Sequence, residues 1–316
     1  MKVLFLNHNN ILTDVIPHFE VTTEIAKADR VVVWSDIPLF ERRVVQIAKA
    51  HGIPTIVVQH GRRGSSRYYP PFEEKILADK LLVWGEADRK GLIEAGQDPD
   101  KIKVVGTTIF SHLKPRVQYG IGSPGNKVKE HLSVVFCPEH WDRPVEENLW
   151  VRDELRKVKD FFYKVVKVKI TTKIIDSPSH QGVEWDNPIM SYRGESGHLP
   201  ICAEVLSTAD IVVGVSESTF ELLAQSLDIP VVIMSEWTPK SFGGDERYVN
   251  YRRVVSNAVK QADRNNVAEV TAEHLHRGNL NNHLCELREE RRRVCIEEGG
   301  FGLDSLELIK REIWTR

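Results

Sequence analysis

The stretch Ala209–Met234, ADIVVGVSESTFELLAQSLDIPVVIM, decides how the chain folds. An apolar run, Ile211–Val213, breaks at Gly214. Small hydroxyl and acidic residues follow at Ser216, Glu217, Ser218 and Thr219, a helical segment comes next, and Pro230 opens a second apolar run. The pattern reads as strand, tight loop, helix, strand. In such a unit the loop leaves the carboxyl end of a buried parallel strand. The helix N-terminus there presents unpaired N–H groups and a partial positive charge, which suits an anion.

Working outward, the same rhythm fills the chain. Lys2–Leu6 is a short apolar strand followed by the polar Asn7-His8-Asn9-Asn10, where a βα loop belongs. Val31–Trp34 is a buried strand ending at Ser35-Asp36, Leu39–Ala50 has helical spacing, His51-Gly52 ends it, and Pro54–Val58 is the next strand. Strands near Lys80–Trp84 and Lys101–Val105, with a helix from about Ala87 to Ala95, bring the strands before residue 110 to five. Beyond them, Leu132–Cys137 starts a second sheet. It is followed by a helix within Val145–Val166, a strand over Val168–Ile175 and a helix over Pro200–Thr208.

At 316 residues the chain exceeds what one core usually serves, so two domains of roughly 110 to 180 residues are expected. The boundary falls in KPRVQYGIGSPGNKVK, Lys114–Lys129, which carries two prolines and three glycines and no apolar period. The expected division is an N-terminal Rossmann-like domain at 1–115, a linker at 116–130 and a C-terminal Rossmann-like domain at 131–300. A last helix at 301–316 packs back on the first domain. The fold class is α/β, two Rossmann-like domains facing across a cleft.

Apolar residues are 41% of the chain and charged residues 28%, as in an ordinary globular protein. A net charge of -2 gives no global attraction to nucleic acid or anionic membrane, so any basic site is local. The sequence has no apolar run of about 18 residues, and MKVLFLNHNN turns polar too early for a secretory leader. A cytosolic chain is therefore expected. Cys137, Cys202, Cys285 and Cys295 lie far apart without metal spacing and read as reduced structural cysteines. The Asn279–Glu298 helix, with Arg291-Arg292-Arg293 at its centre and glutamates around it, reads as a solvated face.

Several literal motif matches carry little. Gly120, Gly122 and Gly125 satisfy G-x-G-x-x-G but follow no buried strand, and Asp98 and Asp100 sit in a turn rather than a metal site. Gly214-Val215-Ser216-Glu217-Ser218 approaches a nucleophile elbow but lacks its final glycine, and nothing fixes Asp245 and His274 as triad partners.

Two other places carry chemistry. His60 stands directly after a buried strand and before Gly61, on a rigid end with room for a ligand. Its imidazole titrates near neutral pH, as a general base should. Arg62, Arg63 and Arg67, with Tyr68 and Tyr69, suit an anionic or sugar-like partner through bidentate and stacking contacts. A polar surface loop is the plain alternative. In the second half, His140 and Arg143 follow the first strand, and Lys173 and His180 mark the next. All four belong around the sheet edge that bears Ser216, where a diphosphate would need several donors. Taken singly, each also has a purely structural explanation.

The two blocks 53–110, IPTIVVQHGRRGSSRYYPPFEEKILADKLLVWGEADRKGLIEAGQDPDKIKVVGTTIF, and 207–234, STADIVVGVSESTFELLAQSLDIPVVIM, resemble the GT-B superfamily. They are most similar to the non-hydrolysing UDP-N-acetylglucosamine 2-epimerases and the capsule and teichoic-acid transferases. The likeness covers about a quarter of the chain. It implies His60 as the acceptor-activating base, Ser216, Ser218 and Thr219 as donor-phosphate ligands, and His180 as a phosphate contact. The epimerases carry an acidic pair where this chain has Leu222 and Leu223. Glu221, offset from that pair, is either a donor ligand or the partner of Ser218 in a capping box. The epimerases' early loops also carry basic and acidic catalytic residues, whereas this chain has Asn7-His8-Asn9-Asn10 and Ser35-Asp36, which favours a transferase.

The resulting expectation is a sugar transferred from a nucleotide diphosphate, most commonly UDP in the resembling groups, to a hydroxyl of a glycan or small molecule. No metal or other cofactor is expected, since helix amides and basic side chains can hold the leaving group. His60 deprotonates the acceptor, Asp36 or the Asn9 loop orients it, and Arg62, Arg63 and Arg67 engage an anionic acceptor or the donor. His140, Arg143, Lys173 and His180 complete the donor side. A nucleotide-sugar 2-epimerase, a phosphoalcohol transferase of the teichoic-acid kind and a non-catalytic nucleotide-sugar binder are the alternatives. Oligomeric state is not legible in the sequence.

Overall fold

The computed structural model describes residues 1–6, 12–34, 39–59, 76–94, 96–113, 131–138, 145–162, 167–175, 182–191, 198–215, 219–234, 259–263, 265–276 and 287–315. The expected linker, the arginine-rich segment after His60 and the G-x-G-x-x-G match lie outside them.

The first sheet is built from β1 (Lys2–Leu6), β2 (Glu20–Val21), β3 (Arg30–Val33), β4 (Thr55–Val58), β5 (Lys80–Val83) and β6 (Ile102–Val104). Its order is β2-β1-β3-β4-β5-β6, and every pair is parallel. Helices α1 (Leu39–Ala50) and α2 (Glu86–Glu94) join its strands. The six strands exceed the five expected because β2 is two exposed residues at the edge, too short to leave a pattern.

The second sheet holds β7 (His131–Cys137), β8 (Lys167–Ile175), β9 (Ile189–Ser191), β10 (Ile211–Gly214), β11 (Val231–Met234) and β12 (Val259–Ala262), ordered β12-β11-β10-β7-β8-β9 and parallel throughout. Its helices are α3 (Val145–Arg156), α4 (Val158–Phe162), α5 (His198–Thr208), α6 (Thr219–Ser226) and α7 (Val267–Leu275). The single helix expected within 145–166 is two, parted at Lys157. Helices α8 (Arg288–Gly299) and α9 (Ser305–Trp314) close the chain.

Side chains alternate between two faces, as the strand period of two requires. In the first sheet Val31, Val33, Val57, Leu81 and Val83 meet α1 and α2 through Val44, Val45, Ala48 and Leu92. Val3, Val32, Ile56 and Leu82 point the other way, onto Leu12, Val15, Phe19 and the α9 residues Ile309 and Ile313. In the second sheet Val134, Phe136, Ile211, Val213 and Val232 face the α3, α4 and α7 side. Val135, Val212, Val231 and Ile233 face α5, α6 and α8. Each sheet is thus covered on both sides, the condition under which parallel strands read as continuous apolar runs.

An alanine–aspartate dipeptide recurs before three strands, and each aspartate pins the neighbouring strand at the residue just before the two strands begin to pair. Lys2 N–H donates to Asp29 Oδ2 at 2.7 Å, Thr55 N–H to Asp79 Oδ2 at 2.9 Å, and Ser133 N–H to Asp210 Oδ2 at 2.7 Å. Each bond satisfies a strand-end donor that the ladder leaves over. The side chain thereby helps fix strand register.

The Arg291-Arg292-Arg293 run departs from the expected solvated face. Arg291 is fully buried and pairs with Asp228 at 3.4 Å, while Arg292 is exposed. Helix α8 therefore packs on the turn that follows α6 and does not lie free on the surface. It ends in the left-handed Gly300, φ +64°, whose missing Cβ would overlap the Trp84 carbonyl oxygen.

Candidate functional site

In an open parallel sheet, ligands bind beyond the carboxyl ends of the strands, at the point where the strand order reverses. In the second sheet that point lies between β7 and β10, the first strand and the fourth of the unit in chain order. In the first sheet it lies between β1 and β3. The stretch Ala209–Met234 is β10, α6 and β11 as read from the sequence, so the loop after Gly214 leaves the carboxyl end of a switch-point strand.

Register places the described residues of that edge. Gly214 pairs with Cys137 on one side and with Ile233 on the other. Thr172 pairs with Phe136, which sets Lys173 level with Cys137, one strand further along. Lys173 points to the α5 and α6 side, is only 4% exposed, and holds its Nζ 5.4 Å from the ring centroid of Phe220, the second residue of α6. It has no hydrogen-bond or carboxylate partner among the described residues. Its Nζ is not among the fully buried unpartnered nitrogens, so the ammonium keeps solvent contact at this edge, where an incoming anion can pair with it.

Glu221, in the first turn of α6, is 1% exposed. Its carboxylate lies against the strand end: a Cβ on Gly214 would overlap Glu221 Oε1 and stand 3.0 Å from Ile233 Cδ1. Only glycine lets the first turn of α6 seat so close to β10. Thr219, the first residue of α6, is half-buried beside it. Cys202, from α5, is buried next to this group. Burial pushes its thiol pKa up, Lys173 draws it back and Glu221 adds to the rise. Leu222 and Leu223 are both in the core shared by α5, α6 and α8, so no acidic pair stands in this helix.

The remaining second-half candidates lie outside the described residues. Ser216 and Ser218 follow β10, His140 and Arg143 follow β7, and His180 follows β8. These are three adjacent strands of one parallel sheet. In the first half, Asn9 follows β1, Asp36 follows β3, and His60, Arg62, Arg63 and Arg67 follow β4. All are outside the described residues and come after three adjacent parallel strands. Of the residues proposed from sequence, the structure therefore describes Lys173, Thr219 and Glu221, and brings those three together at α6. His274, raised as a triad partner, is buried on α7 with Nδ1 2.7 Å from the Val270 carbonyl oxygen of its own helix.

Sequence reasoning missed a buried polar cluster at the first sheet's carboxyl edge. Gln59, just after β4, is hydrogen-bonded both to Trp84, just after β5, and to Asp88 of α2. Nearby, Trp34 Nε1 donates to Glu41 Oε1 at 3.0 Å. The available signal was a glutamine at the last buried position of an apolar strand, which must find partners once buried. Among the described residues no three histidine, cysteine, aspartate or glutamate side chains stand close enough to hold a metal ion, and no helix is long and apolar enough to cross a membrane.

No protein-family model matches the sequence, and no curated protein matches it significantly. Solved structures do. The wall teichoic acid polymerase TagF superposes with a TM-score of 0.62 at 11% identity, covering 99% of this chain and 88% of that one. The UDP-GlcNAc 2-epimerase from Methanocaldococcus jannaschii gives 0.58 at 12% identity and covers all of both chains. The Neisseria meningitidis UDP-GlcNAc 2-epimerase, bound to UDP-GlcNAc, gives 0.56 at 12% identity over 99% of each. Identities this low speak to fold, and they agree with two parallel sheets, each covered by helices on both faces: the chain has the GT-B type α/β fold of these epimerases and of TagF.

Proposed function

We propose that the chain is a GT-B type glycosyltransferase that moves a sugar from a nucleotide diphosphate, with UDP the leading choice, to a hydroxyl acceptor. The observation that carries the reading is Lys173, a lysine whose stem is buried and whose ammonium has no carboxylate partner among the described residues, set beside the first turn of α6 near the switch point of the second sheet. A diphosphate supplies the missing anion, and the amides of the α6 N-terminus add their partial charge.

In this mechanism the acceptor oxygen attacks the anomeric carbon while the bond from that carbon to the diphosphate oxygen breaks. The acceptor proton passes to His60, and the leaving diphosphate is stabilised by Lys173, Ser216, Ser218, Thr219 and the α6 amides. His140, Arg143 and His180, after neighbouring strands, complete the donor side. Asn9 and Asp36, from the strands flanking the first sheet's switch point, orient the acceptor, and Arg62, Arg63 and Arg67 engage an anionic acceptor or donor phosphate. Direct displacement by a base-activated hydroxyl gives inversion at the sugar.

The 2-epimerase reading draws on the structural likeness to two such enzymes. The apolar, buried Leu222 and Leu223 at the place of the epimerases' acidic pair favour the transferase. His60→Ala tests the assignment. It abolishes acceptor-dependent release of UDP from UDP-N-acetylglucosamine and leaves nucleotide-induced thermal stabilisation largely intact; loss of both sinks His60 as the base. Isomerised donor formed without any acceptor would identify an epimerase.

A further inference from the structure

Gln59, which follows β4 and is the last described residue before His60, is held from every polar atom it has. Its N–H donates to the Leu82 carbonyl at 2.9 Å, in step with the ladder. Its side-chain Oε1 accepts from Trp84 N–H at 2.9 Å, and its Nε2 donates to Asp88 Oδ2 at 2.6 Å. Its carbonyl oxygen accepts from the Trp84 indole Nε1–H at 2.8 Å. All three residues are buried, Gln59 completely. A carbonyl oxygen and the N–H of the following residue share one rigid plane, so holding the Gln59 carbonyl sets the direction in which the chain enters residue 60.

Trp84 is anchored elsewhere. Although it ends a strand of the first sheet, its side chain packs in the core that contains Phe220, Leu222 and Leu223 of α6 and Val294 and Cys295 of α8. The fit around its backbone is close: a Cβ on Gly300 would overlap the Trp84 carbonyl oxygen, and a Cβ on Gly85 would overlap the Glu297 carbonyl oxygen. One indole therefore belongs to the core under the helix that opens the donor side and also holds the Gln59 carbonyl, the last described group before His60.

We infer that Trp84 is a positioning residue for His60, holding the peptide between residues 59 and 60 through its indole N–H, with Gln59 and Asp88 completing the clamp. The inference rests on the reading of His60 as the base. Its consequence is that the core around α6 and the acceptor-side base share a mechanical support, so a change in that core is felt at residue 60.

Trp84→Phe keeps an aromatic ring in the core and removes the N–H donor. The first readout is the set of histidine Cε1–H resonances. The chain has 12 histidines, and the signal lost in His60→Ala identifies His60. In Trp84→Phe that signal shifts or broadens while the others hold their places. The second readout is UDP release from UDP-N-acetylglucosamine, which falls roughly tenfold with KM within about twofold of wild type. Asp88→Asn leaves Trp84 in place, weakens the clamp from its other end and moves the His60 signal in the same sense, which keeps the test available if Trp84→Phe folds poorly. Ile109→Val loosens the same core without touching the hydrogen bond and leaves the His60 signal where it was.

An unmoved His60 signal in both Trp84→Phe and Asp88→Asn overturns the inference. Full turnover by His60→Ala instead overturns the base assignment alone, and the resonance still decides whether Trp84 holds residue 60.

Discussion

Glu221 Oε1 fills the space that a Cβ on Gly214 would need. The strand end and the helix that follows it therefore meet through a carboxylate on one side and a bare backbone on the other. This single fit sets the position of the α6 N-terminus over the carboxyl edge of the sheet.

Gly214→Ala should force Glu221 or Ile233 to move. The expected loss is about 1–3 kcal/mol of unfolding free energy, the usual range for an overpacked site. Urea unfolding measures it. Glu221→Gln, which retains the capping geometry, should cost less than about 0.5 kcal/mol, against roughly 1 kcal/mol for Glu221→Ala. A capping role leaves UDP-induced stabilisation intact in Glu221→Gln, whereas a ribose ligand would lose it.

Arg291 is buried without exposure, and burial pulls its guanidinium pKa down while Asp228 restores part of it. Asp228 sits at φ +59°, a conformation that asparagine also accepts readily. Asp228→Asn therefore removes the charge and not the turn. The expected cost is about 2 kcal/mol, less than for a fully buried pair because Asp228 is part-exposed. No change in the denaturation midpoint would mean that Arg291 draws its support from elsewhere.

Asp79 predicts part of the acid limb of stability. Burial raises its pKa, but hydrogen bonds from Lys49 and Thr55 outweigh that and leave it below the ordinary 3.8. A carboxylate whose folded pKa is depressed stabilises the fold above its unfolded value, and the contribution disappears as pH falls through the folded value. In Asp79→Asn the urea midpoint should fall at neutral pH and depend less on pH below about 4 than in wild type. Parallel curves for the two proteins would rule out this contribution.

The strands buried on both faces were legible because nothing polar interrupts them: Val31–Val33, Thr55–Val58, Ile211–Val213 and Val231–Met234 all emerged close to their observed bounds. The edge strands β2, β9 and β12 were not. Glu20–Val21 is exposed, and Val259–Ala262 buries only Ala262, so neither carries an apolar run. Arg291 looked like its neighbours in a charged helix, and what distinguishes it is its complete burial where α8 meets Asp228, 63 residues earlier in the chain. The group at α6 was partly legible. Lys173 was legible as a basic residue at the sheet edge that bears Ser216, but its lack of a partner among the described residues is a three-dimensional fact. Of Gln59, Trp84 and Asp88 only the glutamine left a mark, a polar residue closing an apolar run; its partners were not legible because hydrogen bonds across 25 and 29 residues leave no local spacing.

The most direct test of the donor site is calorimetric titration of UDP and UDP-N-acetylglucosamine into wild type and Lys173→Met. Methionine keeps the length and apolar stem and deletes the ammonium. The account predicts that Lys173→Met is within about 1 kcal/mol of wild type in stability without ligand, since the buried stem is kept and no ion pair is lost. It also predicts that Lys173→Met binds either nucleotide at least about tenfold more weakly. Equal affinity in the two proteins, or no binding of any nucleoside diphosphate by wild type, would contradict a diphosphate site at Lys173 and the α6 N-terminus.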